Sequence, residues 1–395
     1  MAKISEETVA APKEVSSFFN SLRKATNSTS FAESKFAKPD HYIDTGNFAL
    51  NRIYSGSVFN GVPSGIIMIL GGGTASGKSL QACILAKNAI NQNNYDAILY
   101  FDAEGGAPLE MMENVGVDTN KVEHILVESA EDCTVKLLAT YKKIMEFKET
   151  NPDFKALLIL DSLGALVPNK LINDADNGKQ AQDMGLFAKL CNNMIKGCTV
   201  PALKTQCTLV VLNHVYDDPG AFMPTKLKSQ RGGRGLQYMA SLAVQCDRRL
   251  EKGASTDEGF YETTVLKYFT TKNRGSCRPF LETEVPLSFT KGFEGTEYYG
   301  LIPIAIQLGF IKNPKQGYYQ VPTWSDKMLR LKELEGGPKA KEIWDTFIKE
   351  FDEASKKQIS YSSMSEVEQL LAQKEDNETA EELGAEVVQL NENND

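Results

Sequence analysis

The sequence is poor in the residues that build metal centres and disulfide frameworks. Its 395 residues include three histidines and seven cysteines. The cysteines are scattered without a C-x-x-C pair, a pattern that favours free thiols over disulfides or a zinc site. The histidines, His41, His124 and His214, are far apart in the sequence. We therefore do not expect a histidine-based metal centre.

Long apolar runs are also missing. No stretch approaches the roughly 20 apolar residues that a membrane-spanning helix needs. The N-terminal residues MAKISEETVAAPKEVSSFF contain no apolar signal core. These absences predict a protein of the cytoplasm that has no membrane partner.

The net charge of −9 disfavours nucleic acid as a partner at first sight. The negative charge, however, is concentrated at one end: residues 364–395 contain ten acidic residues and one lysine, so this tail alone carries −9. The rest of the chain is neutral on balance. A neutral body can bind DNA through a local basic patch, so the total charge does not decide the question.

Four short apolar runs alternate with helical patterns between residues 46 and 292. They are GIIMIL (65–70), AILYFD (97–102), ALLILD (156–161) and TLVVLN (208–213). Nearly continuous apolar runs of this length are typical of parallel strands that are covered on both faces. After residue 214 the segments alternate like antiparallel strands added to the sheet edge. The pattern predicts a doubly wound α/β core whose mostly parallel sheet is extended by antiparallel strands.

Three further segments flank this core. Residues 1–45 form a polar N-terminal arm with a helix candidate at 14–25, and Phe31 and Phe36 are its candidate contacts to a neighbouring subunit. Residues 293–362 predict a small C-terminal α/β domain with a helix over LIPIAIQLGF, a strand near GYYQV and a helix over KAKEIWDTFIKEF. Residues 363–395 predict an acidic disordered tail.

The segment GGGTASGKS, residues 71–79, follows the first apolar run and contains a complete G-x-x-x-x-G-K-[ST] pattern. Its glycines let successive N–H groups point at a β-phosphate, and the helix that follows adds positive potential. Lys78 is expected to reach the β- and γ-phosphates, and the Ser79 hydroxyl to ligate Mg²⁺. The predicted cofactors are therefore ATP and Mg²⁺. The predicted nucleotide-binding residues are Gly72, Gly73, Thr74, Ala75, Ser76, Gly77, Lys78, Ser79 and Asp161.

Polar side chains end three of the apolar runs. The Asp161 carboxylate is predicted to hold Mg²⁺ together with the Ser79 hydroxyl. Glu104 is placed to polarise an attacking water. Asn213 and His214 end the third run, and His214 is a candidate sensor of the γ-phosphate. Because the carboxyl ends of parallel strands lie at one sheet edge, where ligands bind, we predict an ATPase. The alternatives are a turn cap for Asp161, a helix cap for Glu104 and an ordinary hydrogen-bonded histidine at 214.

Two polar stretches, 168–183 and 215–235, are too long to be simple connections. The second stretch is basic and glycine-rich, and it begins where a γ-phosphate sensor would lie, so the nucleotide could order it. Its glycines are expected to give backbone freedom. The alternative for both stretches is a mobile solvated loop. The predicted DNA-binding residues are Lys226, Lys228, Arg231, Gly232, Gly233, Arg234 and Gly235.

The order of these motifs resembles that of the RecA-type recombinases. The segments that carry the resemblance are GGGTASGKS, FDAEGG, LLILDSLGAL, DMGLFAKL, VVLNH and the basic glycine-rich loop. The chain resembles in particular the UvsX-type recombinases of tailed phages, in LDSLGAL, in the pair Asn213-His214 followed by Tyr216, and in YYGLIPIAIQLGFI. The last of these segments extends the resemblance into the C-terminal domain. The resemblance implies a RecA-like P-loop ATPase core and a DNA-dependent ATPase. It further implies helical filaments on single-stranded DNA that pair with homologous double-stranded DNA.

The resemblance also implies roles for individual residues. It implies that Glu104 activates water and that His214 couples the γ-phosphate to the DNA-binding loops. It also implies that Lys272 and Arg274 reach the ATP of the neighbouring protomer, which adds them to the catalytic candidates; without it they would be an exposed hairpin turn. The N-terminal arm would pack on the next subunit, and the acidic tail would compete with DNA for the basic loops. The resemblance also implies two protein partners, a single-strand-binding protein and a recombination mediator. The implied location is the cytoplasm of a phage host.

Two departures and two rival interpretations accompany the resemblance. Met111 lies near the position where the family often has an adenine-stacking aromatic residue, and the phosphate loop is more regular than that of the phage recombinases, which can lack its second glycine. The first rival is a hexameric RecA-fold helicase or motor, although a 45-residue arm is short for the separate N-terminal domain of such enzymes. The second is a nucleotide-binding regulatory protein with no DNA activity.

Overall fold

The computed structural model describes residues 13–106, 108–178, 185–216, 228–233, 235–249, 263–275, 277–289 and 291–360. The chain divides into two compact units, Met1–Asp40 and His41–Asp395. In the first unit, helix α1 (Lys13–Thr26) leaves its apolar residues Phe18, Phe19 and Leu22 exposed. Phe31 lies in a short 3-10 turn and is also exposed, as is Phe36.

The second unit contains the strands and the remaining helices. The strands are β1 (Tyr42–Ile43), β2 (Val62–Pro63), β3 (Ile67–Gly72), β4 (Ala97–Asp102), β5 (Val122–Leu126), β6 (Ala156–Asp161), β7 (Leu209–Tyr216), β8 (Ser229–Gln230), β9 (Leu242–Arg249), β10 (Thr263–Asn273), β11 (Glu282–Ser288), β12 (Lys312–Lys315), β13 (Tyr318–Val321) and β14 (Ser325–Leu329). The helices are α2 (Phe48–Ser55), α3 (Lys78–Asn93), α4 (Leu109–Val115), α5 (Ala130–Lys148), α6 (Asn169–Asp176), α7 (Leu186–Thr205), α8 (Gly235–Met239), α9 (Ile302–Gln307), α10 (Lys332–Glu335), α11 (Gly337–Asp345) and α12 (Ile348–Ile359).

The main sheet has the order β11-β10-β9-β3-β7-β6-β4-β5, and β8 pairs with the end of β7. The six strands from β9 to β5 are parallel to one another, whereas β10 and β11 add an antiparallel edge. The sequence pattern was wrong for β9, which was expected to belong to the antiparallel addition but pairs in parallel with β3. This arrangement confirms the predicted RecA-like α/β fold class. All four apolar runs singled out in the sequence are strands of the parallel part.

The two faces of the sheet are buried under different helices. Met68 and Leu70 of β3 point into a core that also contains α3, while Ile67 and Ile69 point into a second core with α5 and α7. Because successive residues of a strand face opposite sides, both faces must be apolar, which explains the continuous apolar runs. In the described part of the chain, no helix is both long and apolar enough to cross a membrane.

The C-terminal part builds a third core around aromatic side chains. Trp344 stacks on Tyr298 with ring centroids 5.1 Å apart, and Phe347 packs against it. The single helix expected over KAKEIWDTFIKEF is two helices, α11 and α12. The Thr346 hydroxyl donates to the carbonyl of Ile343, and Phe347 leaves the helical conformation to enter the aromatic core. The strand expected near GYYQV is the middle strand of a three-stranded sheet.

A buried carboxylate joins α12 to the turn after α2. Asp352 accepts hydrogen bonds from the Ser57 hydroxyl at 3.0 Å and from the Val58 N–H at 2.8 Å, and it pairs with Lys356 at 2.7 Å. Arg52 of α2 also donates to Gln358 at 2.8 Å. The last described helix is therefore held to the core by polar contacts as well as by packing.

We expect Asp352→Ala to lower the free energy of unfolding by about 2–3 kcal/mol, because it leaves a buried N–H and hydroxyl without an acceptor. Urea denaturation measures the effect. Glu353→Ala is the matched control, since Glu353 pairs with the same Lys356 but is exposed, and it should cost less than about 1 kcal/mol. Equal losses in the two variants would show that Asp352 does not hold α12.

Candidate nucleotide-binding and catalytic site

The segment between β3 and α3 forms a tight loop at the N-terminus of a long helix. Ala75 and Gly77 have φ angles of 58° and 77°, in the left-handed region that favours glycine. A Cβ at Gly72 would lie 2.7 Å from the Cys246 carbonyl, so only glycine fits there. The predicted loop residues Gly72, Gly73, Thr74, Ala75, Ser76 and Gly77 thus curl around the first turn of α3. Such a turn binds anions through its N–H groups.

Lys78 lies at the centre of this loop. Its ammonium group donates to the carbonyls of Gly72 at 3.0 Å and Gly73 at 2.8 Å. Burial lowers the pKa of Lys78, and the nearby charges of Asp161 and Glu104 oppose that shift. A buried ammonium group facing the loop is suited to bind phosphate oxygens, which would replace the two carbonyls.

Asp161 ends β6 beside the loop and is held by two hydroxyl groups. The Tyr100 hydroxyl donates to Asp161 Oδ2 at 2.6 Å, and the Ser79 hydroxyl also bonds the carboxylate. Burial raises the pKa of Asp161, while these two hydrogen bonds act in the opposite direction. A hydroxyl and a carboxylate side by side are hard oxygen ligands, so Ser79 and Asp161 fit a magnesium ion. Sequence reasoning missed Tyr100, whose only signal is a polar tip inside an apolar strand.

Glu104, Ser162 and His214 come together from three strand ends. The Ser162 hydroxyl donates to Glu104 Oε1 at 2.6 Å. The Nε2 atom of His214 lies 3.3 Å from that hydroxyl and 3.4 Å from the same carboxylate oxygen. The structure therefore brings two of the predicted catalytic residues into contact, through a serine that the sequence analysis did not single out. Glu104 is half exposed, so its carboxylate is open to water.

The ring of His214 rests on the backbone of Gly164. A Cβ added at Gly164 would overlap the imidazole at Cδ2. Gly164 lies in the 3-10 turn that follows Asp161 and Ser162. The His214 ring therefore packs directly on the turn whose N-cap residue is its hydrogen-bond partner Ser162.

The peptide of His214 is hydrogen-bonded to the basic segment, the stretch 215–235, whose residues 228–233 include β8. Asn213 donates from its side chain to the Arg231 carbonyl at 2.9 Å, and the Arg231 N–H donates to the His214 carbonyl at 3.1 Å. The Arg231 guanidinium lies 5.1 Å from the ring centroid of Phe187. Lys228 forms an ion pair with Asp247 at 2.8 Å. Of the other predicted DNA-binding residues, Lys226 and Arg234 lie outside the described residues.

The glycines of this segment are packed closely, although the sequence suggested backbone freedom. A Cβ at Gly232 would overlap Leu236, and a Cβ at Gly235 would lie 2.6 Å from the Asn192 side chain. Gly232 and Gly233 also have φ angles of 88° and 80°. The glycines therefore permit a close approach to α7 and α8. The other long stretch, 168–183, contains the helix α6, and its residues 179–183 lie outside the described part of the chain.

Lys272 and Arg274 lie at the end of β10 and contact the last turn of α8. Lys272 donates to the carbonyls of Gln237 at 2.9 Å and Tyr238 at 2.6 Å, and Arg274 donates to the Tyr238 carbonyl at 3.4 Å. Burial and the adjacent Arg274 lower the pKa of Lys272. This pair of cations is a second cluster, attached to α8, which follows the basic segment.

Met111, near the position where the family often has an adenine-stacking aromatic residue, packs against the core on the α3 side of the sheet.

Comparison with known proteins identifies relatives over most of the chain. Residues 30–294 match the family described as the RecA N-terminal domain. The recombination and repair protein of Enterobacteria phage T4 is 28% identical over 302 residues, which cover 75% of this chain and 72% of that protein. The protein RecA of Malacoplasma penetrans is 26% identical over 294 residues, covering 73% of this chain and 83% of that protein.

We expect Gly164→Ala to displace the His214 ring, because the new methyl group and the imidazole cannot occupy the same space. The imidazole nitrogen chemical shifts of His214, measured by NMR, should change as its contacts with Ser162 and Glu104 are lost. Gly197→Ala is the control, since a Cβ there meets Leu138 at an ordinary 3.5 Å. Unchanged His214 shifts in Gly164→Ala would contradict this packing.

Proposed function

This chain belongs to the RecA family, and we propose that it is an ATP-dependent recombinase that forms helical filaments on single-stranded DNA and pairs it with homologous duplex DNA. The observation that carries the proposal is the contact of Glu104, Ser162 and His214 beside the phosphate loop, with the His214 peptide bonded to the basic segment. His214 thereby links the two sites: its side chain contacts the proposed catalytic residues, and its peptide bonds the candidate DNA-binding segment. The proposed setting is the cytoplasm of a host cell, alongside a single-strand-binding protein and a mediator.

ATP would bind with its phosphates in the loop of residues 72–79. The loop N–H groups and the Lys78 ammonium supply positive charge to the β- and γ-phosphates. Ser79 and Asp161 would hold Mg²⁺, which neutralises phosphate charge when it is bound. Lys78 would exchange its bonds to the Gly72 and Gly73 carbonyls for bonds to phosphate oxygens.

Glu104 is the proposed residue that positions and polarises the attacking water. Its Oε1 atom is already engaged by the Ser162 hydroxyl, which fixes the orientation of the carboxylate. The half-exposed side chain can accept a hydrogen bond from a water on its open side. His214 would contact the γ-phosphate and move when that phosphate leaves. Its peptide bonds to Arg231 would pass the movement to the basic segment.

DNA is proposed to bind to the basic segment through contacts with its phosphates. Arg231 is exposed at the end of β8, and Lys228 can exchange its surface ion pair with Asp247 for a DNA phosphate at small cost. Lys226, Gly232, Gly233, Arg234 and Gly235 complete the proposed contact set. Phosphate contacts carry no base information, which suits a protein that must accept any sequence.

Lys272 and Arg274 are proposed to act on the ATP of a neighbouring protomer. Cations supplied in trans stabilise the charge that develops on the transferred phosphoryl group. Hydrolysis would then require assembly into a filament. For this role the two side chains must leave the α8 carbonyls that they contact within one chain.

Negative-stain electron microscopy tests the proposal as a whole. The protein is mixed with long single-stranded DNA, Mg²⁺ and a slowly hydrolysed ATP analogue. Continuous helical filaments that cover the DNA are expected. Closed rings would instead indicate a hexameric motor, and bare DNA would indicate a nucleotide-binding protein without this DNA activity.

We expect Lys272→Ala to lower the DNA-stimulated rate of ATP hydrolysis about a hundredfold or more, because a charge on the phosphoryl group loses its counter-charge. Nucleotide binding, followed with a fluorescent ADP analogue, should be unchanged. Lys267→Ala is the control, because Lys267 lies on the same strand and pairs with Glu282. Loss of nucleotide binding in Lys272→Ala would show that Lys272 supports its own chain's site and does not act in trans.

We expect Arg231→Ala to weaken binding of single-stranded DNA, because a phosphate contact is lost. The slope of log affinity against log salt concentration should become shallower by about 0.7 for each contact removed. Fluorescence anisotropy of a labelled oligonucleotide at several salt concentrations measures both effects. Lys143→Ala, which removes an exposed lysine of α5, is the control. Identical slopes for Arg231→Ala and the unaltered protein would exclude the proposed phosphate contact.

A further inference from the structure

A buried carboxylate holds the backbone of the segment that carries Glu104. Asp102, the last residue of β4, is 2% exposed. Its Oδ1 atom accepts hydrogen bonds from the N–H of Glu104 at 3.0 Å and from the N–H of Gly105 at 2.9 Å. One oxygen therefore fixes two successive peptides, and Gly105 turns with a φ of 70° directly afterwards.

The other oxygen of the same carboxylate is held from the edge strand. The Nε2 atom of His124, on β5, lies 3.1 Å from Asp102 Oδ2. Because a carboxylate can only accept, the imidazole is the donor in this bond. Asp102 is thus bonded on both oxygens, between the edge of the sheet and the start of the Glu104 segment.

We propose that Asp102 is a positioning residue for Glu104 and that His124 orients Asp102 in turn. The inference rests on the proposed catalytic role of Glu104. It adds two side chains that would act only through the backbone that carries the catalytic carboxylate. Ser162 holds the Glu104 side chain at Oε1, so the residue is fixed at both its peptide and its carboxylate.

The local sequence explains why the Glu104 peptide needs these hydrogen bonds. Glu104 is followed by two glycines, Gly105 and Gly106, and a Cβ at either would meet no atom within 4 Å. Glycine gives the backbone many accessible conformations, so the hydrogen bonds to Asp102 restrict a turn that its glycines alone would not fix. A displacement of about 1 Å at a catalytic group can cost up to a hundredfold in rate, which makes a fixed peptide valuable.

The test compares Asp102→Ala with Asp102→Asn in the full-length protein. Alanine removes both acceptors. Asparagine can present its carbonyl oxygen to the two N–H groups and its NH₂ group to His124, which then takes the other tautomer. We expect Asp102→Ala to lower kcat for DNA-stimulated ATP hydrolysis about tenfold or more, with unchanged affinity for a fluorescent ADP analogue. Asp102→Asn should restore most of kcat. His124→Leu should give a smaller loss and His124→Gln, which keeps a donor, should recover it.

Hydrogen exchange gives a second measurement that is independent of catalysis. The amides of Glu104 and Gly105 should exchange faster in Asp102→Ala than in the unaltered protein, and Asp102→Asn should keep their protection. Asp118→Ala is the matched control, because Asp118 caps the Asn120 N–H in an exposed turn by the same kind of bond. It should change neither kcat nor the exchange at 104–105.

The outcomes separate this inference from the proposed function. An unaltered protein that does not hydrolyse ATP with DNA would overturn the recombinase, while the exchange data would still decide whether Asp102 fixes the turn. Full activity in Asp102→Ala, or equal losses in the alanine and asparagine variants, would overturn the positioning role. Protection of the two amides that survives in Asp102→Ala would overturn it as well.

Discussion

The parallel register of β3, β7, β6 and β4 is the constraint on which the whole site depends. Gly72 pairs with His214 and Asp102 pairs with Asp161, so the phosphate loop and the polar strand ends meet at one edge. A shift of one residue in any of these strands would turn its terminal side chain to the opposite face of the sheet. The two apolar cores oppose that shift, because a shifted strand would have to repack its side chains in both of them. Packing far from the site therefore fixes its geometry.

Within that frame, the site gathers acidic groups around one lysine and binds them mainly with neutral donors. The nearby charges of Glu104 and Asp102 add to the effect of burial in raising the pKa of Asp161. Tyr100 and Ser79 bond that carboxylate without adding charge. Backbone N–H groups and Ser162 do the same for its two acidic neighbours. The positive charge of Lys78 thus remains available for phosphate, which is the group that the loop is shaped to receive.

Sequence patterns predicted four of the parallel strands, the phosphate loop and the polar strand ends, because each depends on residues close together in the chain. They did not predict the contact of Tyr100 with Asp161 or that of Asp102 with His124, because those contacts depend on the order of strands in the sheet. Tyr100 and Asp161 are 61 residues apart and meet only because β4 lies beside β6. The break between α11 and α12 was missed for a similar reason. Phe347 fits the helical pattern, but packing in the aromatic core outweighs local propensity.

The two attachments of the basic segment differ in strength, so a competing ligand would displace one of them more easily than the other. At its nucleotide side, the segment is joined to β7 by backbone pairing and by the bonds between Asn213, His214 and Arg231. At Lys228 it is also held by a partly exposed ion pair with Asp247, a type of contact that contributes little free energy. A bound polyanion would compete easily with that ion pair, whereas the backbone bonds would persist. A rearrangement that starts at the DNA side would therefore reach the His214 peptide, and one that starts at the γ-phosphate would reach Arg231. Such reciprocity is what thermodynamic coupling between two ligands requires.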